Sequence, residues 1–358
     1  MRTIPLLCCL GLLCTSAVSF AENDPLLELP RERLPAPVSN NAVARVSTSV
    51  ADYLVSFTGL GAGKGHGDVH ARVYQRRMTD RDWTDMGLLP DNIGRLAAVA
   101  VGVGPHAYVF GGYTVAEDGA EVSTPEVWRY DPNKRVFKSL AQMPVPVDDA
   151  VAVVYQDRFI YLVSGWHDLA NVNLVQRYDI ETNTWAQATP WPGRSVFGHA
   201  GGIVNNTMII CDGVAVVVGE SGPRRFEMTD ECYRGTINVE NARRIDWHRL
   251  PAHPGAARYR MAASGSAAMN AVVFAGGSDN PYNFDGIGYN GEPSEPVAAL
   301  FVFDLETNAW RPAGQLSPAT MDHRALIELD SGRFMTIGGM RGGQQVSDQV
   351  VEFAVKPQ

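Results

Sequence analysis

The chain has 358 residues, 45% hydrophobic and 19% charged, with 39 acidic against 30 basic side chains and a net charge of -9. That composition supports a large buried core. It argues against nucleic acid or an anionic membrane surface as a partner, because both are bound through clustered cations. Thirty-five glycines and 22 prolines imply many turns.

The first residues, MRTIPLLCCLGLLCTSAVSFA, have the pattern of a secretory signal. Arg2 gives a positive start, Ile4 to Phe20 is mostly apolar, and Ser19-Phe20-Ala21 places small residues where a signal peptidase inspects them. We expect removal of residues 1–21 and a mature chain, 22–358, that is periplasmic or secreted. No later stretch is long and apolar enough for a helical membrane span, so no membrane contact is expected after removal of the signal. Three of the five cysteines leave with the signal. Cys211 and Cys232 remain, as a disulfide in an oxidising compartment or as a buried pair of thiols.

The stretch GLGAGKGHGDVH (59–70) holds five glycines, a lysine and two histidines. It is not a phosphate loop, because Thr58 stands where a glycine is needed and Gly65 where Ser or Thr must follow the lysine. His66 and His70 share no fixed face in a glycine loop, so a metal site is not expected. The run ends instead like five others. LVSFTGLG (54–61), AYVFGG (107–112), IYLVSG (160–165), VAVVVGE (214–220), AVVFAGG (271–277) and FMTIGG (334–339) each carry an apolar run into glycine. Aromatic pairs follow most of them: Tyr74 and Trp83, Tyr130 and Phe137, Tyr178 and Trp185, Phe303 and Trp310. YDPNKRVF, YDIETNTW and FDLETNAW each read as strand, tight turn, strand.

A repeat of 50 to 60 residues with this content has the spacing of a four-stranded propeller blade. It resembles the kelch repeat. The expected fold is all-β: a six-bladed kelch-type β-propeller forming one domain, with blades near 41–90, 93–144, 147–192, 198–251, 257–315 and 322–356. The last unit lacks a fourth strand. PLLELPRERLPAP (25–37) is similar to the strand-four endings WTDMGLLP and FKSLAQMP, and we expect it to close the ring against the last blade, removing an open edge.

In such a blade the loop between strands two and three shares a face with the entry to strand one, and function concentrates there. The entries carry Arg95, Asp148-Asp149, His199, Arg260 and Asp322-His323-Arg324. Polar groups of both signs converging on one axis suit a small sugar, or else form a rim tied by ion pairs. The loop 278–296 adds Tyr282, Phe284 and Tyr289, whose faces suit sugar C–H groups or pack beneath the loop itself. In blade four two registers compete. Either Cys211-Asp212-Gly213 ends strand two and VAVVV is loop, or Asp212-Gly213 is a hairpin turn and VAVVV is strand two. We favour the second. It puts Glu220 at the second-glycine position with Arg224 and Arg225 just after it, as an ion pair or as a base beside an anion clamp.

The segment Gly219-Glu220-Ser221-Gly222-Pro223, with the arginines after it and Thr229-Asp230, resembles the corresponding part of the bacterial N-acetylneuraminate epimerases, secreted six-bladed kelch enzymes that mutarotate sialic acid. The N-terminal signal, the Asn/Tyr/Gly-rich loop after FAGG and the closing TIGGMRGGQQVSDQVV are similar too. The resemblance implies a cofactor-free isomerase with Glu220 as proton acceptor. Arg95, Arg224, Arg225, Arg260, Arg324, His199, Asp322, Tyr282 and Tyr289 would contact the sugar, with no metal. The rival expectation is a non-catalytic propeller that binds carbohydrate or protein. A copper radical oxidase, another kelch-containing class, needs a tyrosine–cysteine crosslink and a His/Tyr copper shell; with only Cys211 and Cys232 in the mature chain and no room for accessory domains at this length, it is not expected.

Overall fold

The computed structural model describes residues 32–218 and 224–356. The secretory stretch, residues 25–31 of the closing segment and Glu220 lie outside the described residues. The fold is a six-bladed β-propeller. Inner strands Ala42–Ser47, Val99–Val103, Val151–Tyr155, Ala200–Val204, Ala262–Ser266 and Ile327–Asp330 each start a twisted antiparallel sheet. Blade three is typical: Val151–Tyr155, Phe159–Val163, Val175–Asp179 and Thr184–Gln187 pair in sequence order. Blade six has three strands of its own, ending in Val350–Ala354. The N-terminal segment runs along that blade, as the sequence predicts. Arg33 bridges Gln349, the Leu34 N–H donates to the Asp348 carbonyl at 2.7 Å, and the Val350 N–H donates to the Glu32 carbonyl at 3.0 Å.

The core lies between blades. Val151, Val153, Tyr161 and Val163 of blade three pack with Met208, Ile210, Tyr233 and Ile245 of blade four. The hairpin aromatics do what their spacing suggests. Tyr178 and Trp185 face each other across strands three and four, 5.0 Å apart, and both meet Phe110 of the preceding blade. A single blade cannot bury both faces, so this stacking supplies the apolar burial.

One motif recurs six times at the face carrying the loops between strands two and three. A residue in the entry to each inner strand pairs with the residue that follows the strand-ending glycine: Ser39 with Leu60, Leu96 with Tyr113, Asp148 with Trp166, Phe197 with Val214, Tyr259 with Ser278, Met321 with Met340. The next residue in each entry has positive φ: Asn40, Ala97, Asp149, Gly198, Arg260 and Asp322. These six positions ring the axis. GLGAGKGHGDVH is the blade-one version, ending strand Asp52–Leu60 and crossing a short 3-10 turn, His66–Asp68, into strand Val69–Arg77.

Blade four corrects the favoured register. Strand two is Thr207–Cys211, and Cys211-Asp212-Gly213 ends it. Asp212 and Gly213 both have positive φ. A Cβ at Gly213 would sit 2.8 Å from the His199 Cβ and 2.9 Å from the Phe197 carbonyl, so the second-glycine position belongs to Gly213 and not to Glu220. The valine run is a strand, but in a separate ribbon: Val214–Val217 pairs with Arg225–Met228 above the blade.

Candidate functional site at the channel mouth

Three ribbons stand on the loop face beside one another. Tyr113–Val115 pairs with Glu121–Ser123 in blade two, Trp166–His167 with Ala170–Asn171 in blade three, and Val214–Val217 with Arg225–Met228 in blade four. With the blade-five loop they wall a cavity of about 470 Å³. Its floor is made of inner-strand entries, Asp148, Asp149, Phe197 and Arg260. Its walls bring in Tyr113, Glu121, Trp166, Arg224, Phe226 and Tyr289. The aromatics form one cluster. Tyr289 stacks on Phe226 at 3.8 Å between ring centres, and Phe197 lies edge-on to both Trp166 and Tyr259. A second cavity, of about 330 Å³, occupies the channel below, where His199 and Arg324 join the backbones of the inner strands.

Between these cavities sits a buried quartet of charges. The Arg260 guanidinium donates to Asp149 Oδ2 at 2.6 Å and to Asp322 Oδ1 at 3.1 Å. Arg324 Nε lies 2.9 Å from Asp149 Oδ1, and its Nη2 also reaches the Asn40 side chain. The four side chains are 2% exposed or less. Burial opposes the charge on Asp149, but Arg260 and Arg324 outweigh it and hold its pKa below the usual carboxylate range. Its neighbour Asp148 is shifted the other way. Burial, then the charges of Asp149 and Glu121, push its pKa well above the usual range, against a hydrogen bond from Ser123. Glu121 reaches solvent at the rim, yet partial desolvation raises its pKa too, with Arg260 opposing and Asp149 adding.

The candidate residues are therefore distributed unevenly. Arg224, Arg260 and Tyr289 line the mouth cavity. Arg224 is exposed, donates to the Leu169 carbonyl at 2.9 Å and stands 6.0 Å from the Trp166 ring. Arg260, Arg324 and Asp322 belong with Asp149 to the quartet, so these two arginines, expected to contact the sugar, are engaged by protein carboxylates instead. Tyr282 is fully buried and packs against the Arg260 guanidinium at 5.3 Å, rather than presenting a face to the cavity. Arg95 is buried in an ion pair with Asp91 and lines neither cavity. His199 is buried in the channel wall, with burial bringing its pKa down to about 4. Arg225 is exposed beside Glu227 at 3.6 Å. Cys211 and Cys232, register partners on strands two and three, form a disulfide.

Sequence reasoning missed Tyr113, Glu121, Trp166 and Phe226. A signal for two of them exists: Tyr113 and Trp166 directly follow the strand-ending glycines Gly112 and Gly165, the position that pairs with a strand entry in every blade. Among the described residues no group of three or more His, Cys, Asp or Glu side chains is placed to hold a metal ion. No helix among them is long and apolar enough to cross a membrane.

Fold and site together define a class: a six-bladed β-propeller with a polar and aromatic cavity at one end of its axis. Residues 94–144, which span blade two, match the Kelch motif model. Human Kelch-like protein 15 (Homo sapiens) is 30% identical over 137 residues, 38% of this chain and 22% of that protein. Its Danio rerio counterpart is 24% identical over 263 residues, 69% of this chain and 39% of its own length. Kelch-like protein 36 of Rattus norvegicus is 26% identical over 153 residues, 41% of this chain and 24% of that protein. The chain thus spans less than two fifths of the length of the curated relatives it matches. Among solved structures, one titled "Structure of YjhT" superposes with a TM-score of 0.71 over 90% of this chain and 97% of that one, at 17% identity. That likeness is one of fold.

Proposed function

We propose that this propeller binds a small sugar at the channel mouth and exchanges its anomers, as a cofactor-free mutarotase of the sialic acid type working in the periplasm or outside the cell. The observation that carries the reading is the mouth cavity itself. Its volume suits a monosaccharide, its aromatic rings suit sugar C–H faces, and its carboxyl groups are tuned to different proton states. The similarity of the segment around Glu220 to the N-acetylneuraminate epimerases supports the same reading and supplies the base. Ring opening removes the proton of the anomeric hydroxyl and delivers one to the ring oxygen, which needs only a base and an acid. Glu220 is the proposed acceptor. Arg224 and Arg225, which stand outside the quartet, are the proposed clamp for a sugar carboxylate.

Proton NMR of freshly dissolved N-acetylneuraminate, at a pH where spontaneous exchange is slow, tests this. Catalytic amounts of protein should speed the approach to anomeric equilibrium, and Glu220→Gln should lose at least about 100-fold of that rate. A non-catalytic carbohydrate- or protein-binding propeller is favoured by one observation, the engagement of Arg260 and Arg324 by protein carboxylates. It predicts ligand-induced shifts with unchanged exchange.

A further inference from the structure

Anomer exchange needs two proton positions, and the reading above fills one. We propose that Asp148 is the other: a carboxyl group on the floor of the mouth cavity that protonates the sugar ring oxygen. The proposal rests on the mutarotase reading and assigns it a catalytic acid.

The geometry begins at Ser123. The Asp168 N–H donates to Ser123 Oγ at 3.1 Å, and Ser123 Oγ–H donates to Asp148 Oδ2 at 2.7 Å. The single hydroxyl hydrogen is thereby directed at Oδ2, so a proton on the Asp148 carboxyl resides on Oδ1. The backbone of Asp148 is fixed as well, by paired hydrogen bonds with Trp166 at 3.0 and 2.9 Å. Asp148 is 3% exposed and lines the cavity. Among the described residues no cation lies within ion-pair distance of it, whereas Asp149 next to it has two. The other ionisable groups of the cavity are Glu121, Asp168, Arg224, Arg260 and the tyrosines Tyr113 and Tyr289. Two adjacent carboxyls, one ionised by its guanidiniums and one kept neutral by burial and like charge, are the pattern of an acid held beside a fixed anion.

The step balances without a cofactor. The base takes the anomeric hydroxyl proton, the bond from the anomeric carbon to the ring oxygen breaks, and its electron pair goes to that oxygen. The oxygen takes the proton of Asp148, and an open-chain carbonyl forms. Rotation and the reverse transfers close the ring on the other face and restore both groups.

The test measures kcat/KM for anomer exchange of N-acetylneuraminate by NMR across pH, with wild type, Asp148→Asn, Ser123→Ala and Glu220→Gln. Wild type should lose activity on the alkaline side as the acid deprotonates. Asp148→Asn should fall at least about 100-fold and show no alkaline limb. Ser123→Ala removes a bond that favours the ionised form, so its alkaline limb should move to higher pH, a shift that a packing role would not produce. Should Asp148→Asn not fold, judged by its thermal melt, the Ser123→Ala shift decides. An Asp148→Asn variant with wild-type rate and limb, beside an inactive Glu220→Gln, would overturn the acid assignment and leave the mutarotase reading standing. No acceleration by wild type overturns both.

Discussion

At His199 the imidazole is buried in the channel wall with Nε2 against the Val163 carbonyl at 2.9 Å, and burial lowers its pKa from the ordinary 6.5 to about 4. As pH falls from about 6.5 to about 4 the unfolded chain takes up this proton and the folded chain does not, so the stability tied to the neutral ring is lost across that window. Asp148, whose folded pKa is raised, contributes in the opposite direction, so the measurement is a difference. The stability of wild type minus that of His199→Asn, from urea titrations at several pH values, should decline on acidification with a limiting slope of about 1.4 kcal/mol per pH unit. A flat difference would show a ring already charged. Single residues of this kind were only partly legible. The strand-ending glycines stood out in the sequence because an apolar run precedes each one. Gly102, Gly202 and Gly265 did not, although a Cβ on any of them would strike the backbone of the neighbouring blade's inner strand. That constraint comes from a different repeat and leaves no local mark.

Among the elements, the hairpins were readable because their partners are adjacent in sequence. Tyr130 and Phe137, Tyr178 and Trp185, Phe303 and Trp310 are all cross-strand partners in the fold. Blade four was misjudged for the converse reason. Asp-Gly with positive φ at both residues serves a hairpin turn and a strand-two ending equally well, and the valine run, which the second of these left as loop, is a strand of a separate ribbon. What separates the two registers is the partner strand, Arg225–Met228, which no local pattern announces. The ribbon so formed carries Phe226 to the mouth cavity, and the Cys211–Cys232 disulfide closes the base of the segment that holds it, with a sequence separation of 21. Chain entropy alone gives a closure of that length about 3 kcal/mol. The double variant Cys211→Ser with Cys232→Ser, or wild type under reductant, should lose roughly that much in a denaturant titration, and an unchanged midpoint would show that sheet pairing alone holds the ribbon base.

Across the whole molecule the repeat made the blade count and ring closure legible, whereas the channel contents depend on side chains that meet from distant repeats. Asp149 of blade three, Arg260 of blade five, and Asp322 and Arg324 of blade six converge on the axis from sequence positions more than 170 residues apart at the extremes. Sequence placed these groups at the channel but could not show that they would satisfy one another. Removing one buried partner leaves its guanidiniums uncompensated, so Asp149→Asn should cost about 3–5 kcal/mol, read as a fall in the denaturation midpoint. A loss under about 1 kcal/mol would mean that water already reaches these charges. The quartet also decides traffic. Asp149 and Arg260 line the mouth cavity and Arg324 the channel cavity, so the quartet stands between the two. A guest of the proposed mouth site would leave by the door it came through. On the reading proposed above, substrate and product would share that one opening, and a long unbranched polymer would be gripped by its terminal unit rather than threaded.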